Sequence, residues 1–334
     1  FRSPKGSCFA FIGSKEDVGT ADTVFQHLRV LLPMILSIIT AIDFPSWLRE
    51  DIFTIGRFSL KWYGVGYVVG LFGAYLYAVS LTKKRELWIQ DNPTRIPEVV
   101  PTQNMLSDLM FYCLVGIIVG GRLGYVTLYS PETFLKPLEV FKIWEGGMSF
   151  HGGFLGVVAA CAYASWKFKI DKFRIGDMAS VGAPIGLGIV RLFGNFINQE
   201  LWGRPTDVPW AMRFPKDQDF LPRHPSQLYE AFLEGLVLFL ILRFMTIKFK
   251  ALTKPGLLFG ALMFFYGLFR FSVEFVREPD AIAQFGEFGE FIFTRGMAYS
   301  LPMVLAGALL MLWANRRAPV SPKRIIEDDD DNLA

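Results

Sequence analysis

The sequence predicts an all-α integral membrane protein of seven spanning helices, with its N-terminus outside, its C-terminus cytoplasmic and a polar periplasmic-side loop between helices 4 and 5. Three observations carry that expectation. Of the 334 residues, 52% are hydrophobic and 33 are Phe, more than a soluble core uses. The apolar residues gather in runs of about 20, the length that crosses a hydrocarbon layer. Lys and Arg cluster beside alternate runs, and positive charge marks the cytoplasmic side.

Taken in order, residues 1–33 read as an N-terminal extension or a tag remnant outside the fold, with Met34 a natural start. The apolar run 31–42 is too short to span and contains Pro33. It reads as an interfacial or re-entrant lead-in, with Trp47 at headgroup depth. A membrane domain over 34–314 holds spans at 62–81, 108–128, 152–166, 177–196, 227–245, 256–276 and 296–313. One set of connections carries Lys83, Lys84, Arg85 and Arg95, then Lys167, Lys169, Lys172 and Arg174, then Arg243, Lys248, Lys250 and Lys254. The opposite set is balanced by acids such as Asp207, Asp217, Asp219, Glu278 and Asp280. The tail 315–334 adds Arg316, Arg317, Lys323 and Arg324 and ends in a solvated acidic run, so it is cytoplasmic.

Several function classes drop out. A net charge of +3 gives no footprint for nucleic acid. Cys8, Cys113 and Cys161 form no CxxC pair, and His27, His151 and His224 form no HExxH, so no metal site is expected. GxSxG, P-loop and Asp-rich magnesium patterns are also missing, and no cofactor is implied.

The chemistry-bearing residues concentrate between Arg191 and Glu234. An ionisable residue inside an apolar span costs about 2.5 kcal/mol or more and reads as functional by default. Arg191 has no carboxylate at i+3 or i+4, while Asn195 and Asn198 follow one and two turns on. Glu200 with Arg204 reads either as part of the same edge or as a loop ion pair. Tyr266, Arg270, Glu274 and Arg277 form one polar stripe on an apolar helix. Arg270–Glu274 is either a self-neutralising pair or half of a phosphate clamp shared with Arg191, with Glu230 and Glu234 as counter-charges. Arg122, in GGRLGY, either snorkels beside packing glycines or meets a lipid phosphate. His151 stands between Gly pairs, as a helix cap or as a proton acceptor.

These stretches resemble the prolipoprotein diacylglyceryl transferase family. The pieces are Trp62-Tyr63-Gly64, GGRLGY at 120–125, GGMSFHGGFLG at 146–156, NFINQELWGR at 195–204, RHPSQLYEAFLEG at 223–235 and YGLFRFSVEFVREPD at 266–280. They run in the family's order from about Asp43 to Trp313. The resemblance implies a seven-span enzyme of the bacterial inner membrane. It would move sn-1,2-diacylglyceryl from phosphatidylglycerol to the lipobox cysteine thiol of a preprolipoprotein signal peptide, forming a thioether and releasing glycerol 1-phosphate. It also implies that Arg191 and Arg270 lie at the phosphate, with His151 and Tyr266 in the catalytic set. Tyr63, Asn195, Glu200, Gly203, Glu274 and Arg277 match the family's other functional positions. One departure stands out. The family's usual Gly-Arg-x-Gly/Ala-Asn-Phe becomes Val190-Arg191-Leu192-Phe193-Gly194-Asn195, one residue longer between Arg and Asn. A lipid or anion transporter that binds phosphate through intramembrane arginines is the alternative class. The absence of a visible repeat and the large outer loop count against it.

Overall fold

Each of the seven expected stretches is helical in the computed structural model, which describes residues 41–56, 58–88, 101–142, 147–278, 284–288 and 291–317. The expected N-terminal extension and the tail beyond residue 317 lie outside the described residues. Helix α1 is Trp62–Thr82, α2 is Gln103–Leu128, and α3 is Phe150–Phe168. Helix α4 starts at Lys172–Ile189 and continues as a π-helix over Val190–Phe196. Helix α5 changes twice, being α over Ser226–Glu230, π over Ala231–Val237 and α again over Leu238–Lys248. Helices α6, Leu257–Val273, and α7, Arg295–Arg316, complete the set.

Local chemistry explains where these helices begin. Thr102, Ser149, Asp171 and Thr294 each accept a backbone N–H of the first turn, satisfying donors that have no intrahelical partner. Thr102 draws α2 back five residues from its expected start, and Asp171 does the same for α4. Among the described residues, four helices are long and apolar enough to cross a membrane: Trp62–Thr82, Gln103–Leu128, Lys172–Phe196 and Arg295–Arg316. Large apolar side chains on their outer faces stay exposed, including Val68, Leu128, Leu305 and Leu309. Water would not tolerate so extensive an apolar surface, and lipid would. The chain is an integral membrane protein.

The all-α expectation needs one amendment, because short strands occur between the helices. Strands β1 (Ile42–Asp43), β4 (Met212–Arg213) and β5 (Pro222–Arg223) form one small sheet, parallel between β1 and β4 and antiparallel between β4 and β5. The hairpin β2–β3 pairs Asp51–Ile55 with Phe58–Lys61, and β6–β7 pairs Gln284–Phe288 with Phe291–Thr294. The β-branched and aromatic residues in DIFTI and FIFT favour extended backbone. Gly56, at φ 61°, makes the first hairpin's turn without steric cost.

Two units pack separately. In the smaller, residues 41–46 and 203–225, Phe214 is fully buried with its ring 5.9 Å from that of Phe44. Arg223 is also buried there, donating from Nε to Asp217 Oδ2 at 2.5 Å and from Nη2 to Oδ1 at 3.1 Å. The larger unit holds all seven helices. At one end, Leu81, Trp88, Ile175, Leu242, Leu252 and Leu258 form its most buried apolar core. Asp177, buried in that core, accepts the N–H groups of Gly256 and Phe259 at 2.8 Å each. Its carboxyl oxygens thereby satisfy first-turn N–H groups of α6 that have no intrahelical partner.

Elsewhere in this unit the helices meet through small residues. A Cβ on Gly156 would collide with the carbonyl of Gly116, and one on Gly152 with the carbonyl of Gly120. Helices α2 and α3 therefore touch backbone to backbone, the contact that stabilises helix pairs where lipid supplies no hydrophobic drive. Replacing Gly156 by Val should cost at least about 2 kcal/mol through overpacking. A lowered thermal midpoint in detergent would show it, whereas Gly153→Val, whose Cβ meets nothing closer than 3.7 Å, should change the midpoint far less.

Candidate active site

The π-helix at the end of α4 carries the first two site residues. A π turn accommodates one more residue than an α turn, and the unusual Arg-Asn spacing falls inside it. Arg191 Nη1 donates to Asn195 Oδ1 at 3.1 Å, so the longer spacing still leaves both side chains on one face. Arg191 Nε lies 2.8 Å from Glu230 Oε2, and its Nη2 lies 3.4 Å from Glu234 Oε2. Both carboxylates are completely buried, and both stand on or beside the second π-helix, in α5. Gly188 and Gly235 let α4 and α5 approach this closely, since a Cβ on Gly188 would lie 3.0 Å from Gly235 Cα.

Helix α6 adds the second arginine. Arg270 Nη1 bonds Glu274 and lies 4.0 Å from Glu230 Oε1. Glu274 also accepts the hydroxyl of Thr294 at 2.8 Å. Its carboxylate fills the space over Gly296, where a Cβ would meet it at 2.6 Å. Tyr266 lies one turn before Arg270 and within electrostatic range of Glu234, Arg191 and Arg270. Arg277, half-buried just beyond the helix, is within range of Arg270, Glu230, Glu274 and Arg191. Three arginines and three glutamates therefore share one nearly dry neighbourhood.

The start of α1 closes another side. The Tyr63 ring packs over Gly194, where a Cβ would lie 2.8 Å from the ring, and its hydroxyl sits 3.2 Å from that of Tyr67. After the π-helix the chain bends sharply, with Gln199 at φ 56° and Leu201 at φ 57°, conformations that cost non-glycine residues energy. Gln227 Nε2 donating to Glu200 O at 2.6 Å and Ser226 Oγ donating to Leu201 O at 2.8 Å hold that bend. Asn198 Nδ2 then reaches Glu200 Oε1 at 3.4 Å.

The remaining expected residues sit differently. Arg122 donates to the backbone carbonyls of Val140 at 2.8 Å, Glu139 at 2.5 Å and Gly147 at 3.2 Å, so its fork holds Glu139 and Val140 together with Gly147 against α2. His151 is exposed in the first turn of α3, and the cap that turn uses is Ser149. Gly203 belongs to the smaller unit, where its N–H donates to the carbonyl of His224 at 2.8 Å. Sequence reading gave Glu230 and Glu234 only the role of counter-charges, and it missed Thr294. The acids had a signal, a pair at i,i+4 inside an apolar span. Thr294 had none, because its value comes from where α7 starts beside α6.

The profile of the prolipoprotein diacylglyceryl transferase family matches residues 50–313. This chain belongs to the prolipoprotein diacylglyceryl transferase family. It is 45% identical over 293 residues to the Brucella anthropi protein named phosphatidylglycerol–prolipoprotein diacylglyceryl transferase, covering 87% of this chain and 98% of that one. The relative of the same name from Brucella canis is 46% identical with the same coverage. The matched region takes in every site residue of the larger unit and the 203–225 loop.

One group beside Gly203 gives a pH-dependent expectation. Burial holds the His224 imidazole below its ordinary value, with the Asp207 carboxylate pulling the other way. The folded loop therefore binds a proton less readily than the open one. Its stability is complete above about pH 6.5 and falls as pH drops below that value. Amide exchange at Gly203 and Arg204, corrected for the intrinsic effect of pH, should rise between about pH 7 and pH 5.5. His224→Gln should remove that rise.

Proposed function

We propose that this chain transfers the diacylglyceryl group of phosphatidylglycerol to a prolipoprotein, and that the acceptor is the thiol of the lipobox cysteine in the preprolipoprotein signal peptide. Family membership and close similarity to relatives named for this reaction support the activity. The observation that carries the chemistry is the convergence of Arg191 and Arg270, from two helices, on the single carboxylate of Glu230. Two guanidinium groups held together inside a membrane protein form a ready receptor for a phosphate, which they can grip with paired N–H donors.

The reaction then follows from charge. The thiol sulfur gives up its proton and attacks C3 of the diacylglyceryl group, forming a C–S bond while the C3–O bond of the phosphate ester breaks. Glycerol 1-phosphate leaves with one more negative charge than the diester carried. Arg191 and Arg270 offset that charge as it develops, in surroundings where little water competes. Asn195 fixes the Arg191 fork, and Glu274 with Thr294 fixes Arg270. Tyr266 and Arg277 flank the phosphate position. Tyr63, Asn198 and Glu200 line the approach to it, and Gly203 is assigned to substrate binding at the start of the polar loop. His151, exposed at the start of α3, stays in the catalytic set, and Arg122 is assigned to substrate binding through the segments whose carbonyls it holds.

On the same reading, all seven helices cross the bacterial inner membrane as one enzyme domain over 34–314. The Lys- and Arg-rich connections and the 315–334 tail lie on the cytoplasmic side, and the 203–225 loop faces outward. Phosphatidylglycerol arrives from the bilayer itself, and no metal or cofactor is invoked.

Purified protein with phosphatidylglycerol vesicles and a lipobox peptide bearing one cysteine tests the reading. The peptide should gain the mass of diacylglyceryl while glycerol phosphate is released, and a Cys→Ser peptide should gain nothing. Lipid crossing vesicles with no change in peptide mass would instead indicate transport. Arg191→Ala and Arg270→Ala should each lower transfer about 100-fold or more while the protein remains folded.

A further inference from the structure

We infer that Glu230 is the catalytic residue that takes the proton from the attacking cysteine thiol, an inference that rests on the transfer reaction proposed above. Charge is the first constraint. Three arginines (Arg191, Arg270 and Arg277) face three carboxylates (Glu230, Glu234 and Glu274) from α4, α5, α6 and the turn after it. Counted in their ordinary ionised forms, these six groups match one for one before substrate arrives. A bound phosphodiester adds one negative charge, and its conversion to a monoester adds a second. In a low-dielectric site an uncompensated charge is costly, so a proton must enter the cluster as the leaving group forms.

The reaction itself frees one proton, from the thiol. The guanidinium groups carry all the protons they can hold, and the Tyr266 phenol already has its own. Within this cluster that leaves the carboxylates, with His151, exposed at the start of α3, as the competing acceptor outside it. Glu274 is committed to Arg270 and to the Thr294 hydroxyl. Glu234 lies a full turn further along α5, and its ion pair among the described residues is with Arg191. Among those residues Glu230 alone is ion-paired to both arginines, at 2.8 Å and 4.0 Å, and it is fully buried. Neither of its oxygens has a well-aligned hydrogen-bond donor among the described residues, so a lone pair is open to accept a proton.

The step balances. The S–H bond breaks to Glu230 as the C–S bond forms and the C3–O bond of the phosphate ester breaks. The products are the thioether, the phosphate monoester dianion and a neutral Glu230 carboxyl. Protonation at Glu230 also neutralises the one carboxylate that Arg191 and Arg270 share, at the moment the leaving group gains charge, while Glu234 and Glu274 stay paired. The same two guanidiniums thus exchange a carboxylate for a phosphate. Return of the proton to the departing monoester resets the site.

The test compares two acceptor peptides on the full-length protein with phosphatidylglycerol vesicles, one with cysteine and one with selenocysteine at the same position. A selenol is ionised at neutral pH and needs no base. Glu230→Gln should lower transfer to the cysteine peptide about 100-fold or more, the scale of a lost general base. With the selenocysteine peptide it should stay within about tenfold of wild type. Glu230→Asp, which keeps a carboxylate, should transfer to the cysteine peptide faster than Glu230→Gln. Equal losses on both peptides would overturn the proposal and leave Glu230 a structural partner of the arginines. So would an Asp variant no better than Gln, or cysteine transfer by Glu230→Gln within about threefold of wild type. His151→Gln, run alongside, should keep the wild-type ratio between the two peptides. A ratio that shifts in it and not in Glu230→Gln moves the base to His151. Failure of the wild-type protein on either peptide would count against the transfer reaction itself.

Discussion

Charge held inside an apolar protein must be matched at once, and the pairing of Arg191 with Glu230 and Glu234 is where this molecule meets that demand. Removing one partner of such a pair leaves an uncompensated buried charge, at a cost of about 3–5 kcal/mol. The arrangement therefore ties α4 to α5, and the reach of Glu230 toward Arg270 brings in α6. Other features serve this contact. Gly188 against Gly235 sets the helix spacing, and the two facing π-helices aim the side chains inward. A π turn is itself less stable than an α turn and is found most often at functional positions. Two of them side by side, both at the arginine–glutamate cluster, fit that association.

The site joins rigid and strained parts. Helix caps, glycine contacts and the core around Trp88 fix the helices that carry Arg191, Glu230 and Arg270. The bend at Gln199 to Leu201, by contrast, stores backbone strain and is restrained by side chains from the start of α5. Strain of this kind persists only where its surroundings over-determine it. Its effect here is to bring Glu200 back toward Asn195, whose carbonyl accepts the Glu200 N–H at 2.9 Å. The chain therefore leaves α4 still beside the arginine cluster.

Much of this was legible in the residues because membranes make polar groups conspicuous. Arg191, Arg270 and Glu274 stood out against apolar runs, and the apolar runs themselves marked all seven helices. Arg122 was equally conspicuous, yet its donors serve the carbonyls of a neighbouring segment, a role that depends on where a distant loop folds. The short hairpins were missed because their alternation is brief and lies beside much stronger helical signals. The extra residue between Arg191 and Asn195 was visible as a departure. Its consequence was not, because an insertion can rotate a helix face or be taken up in a π bulge, and only packing decides between them.

By itself the sequence determined which segments are helical, which family the chain belongs to and which ionisable residues had to find partners. Those properties follow from local composition and from the cost of charge in hydrocarbon, and neither needs the third dimension. The tertiary structure decided the partnerships. Glu230 sits forty residues or so from each arginine, and nothing in the spacing says that its carboxylate lies between them. That position follows from helices crossing at glycines whose missing side chains let the backbones touch, a constraint set by shape and not by pattern.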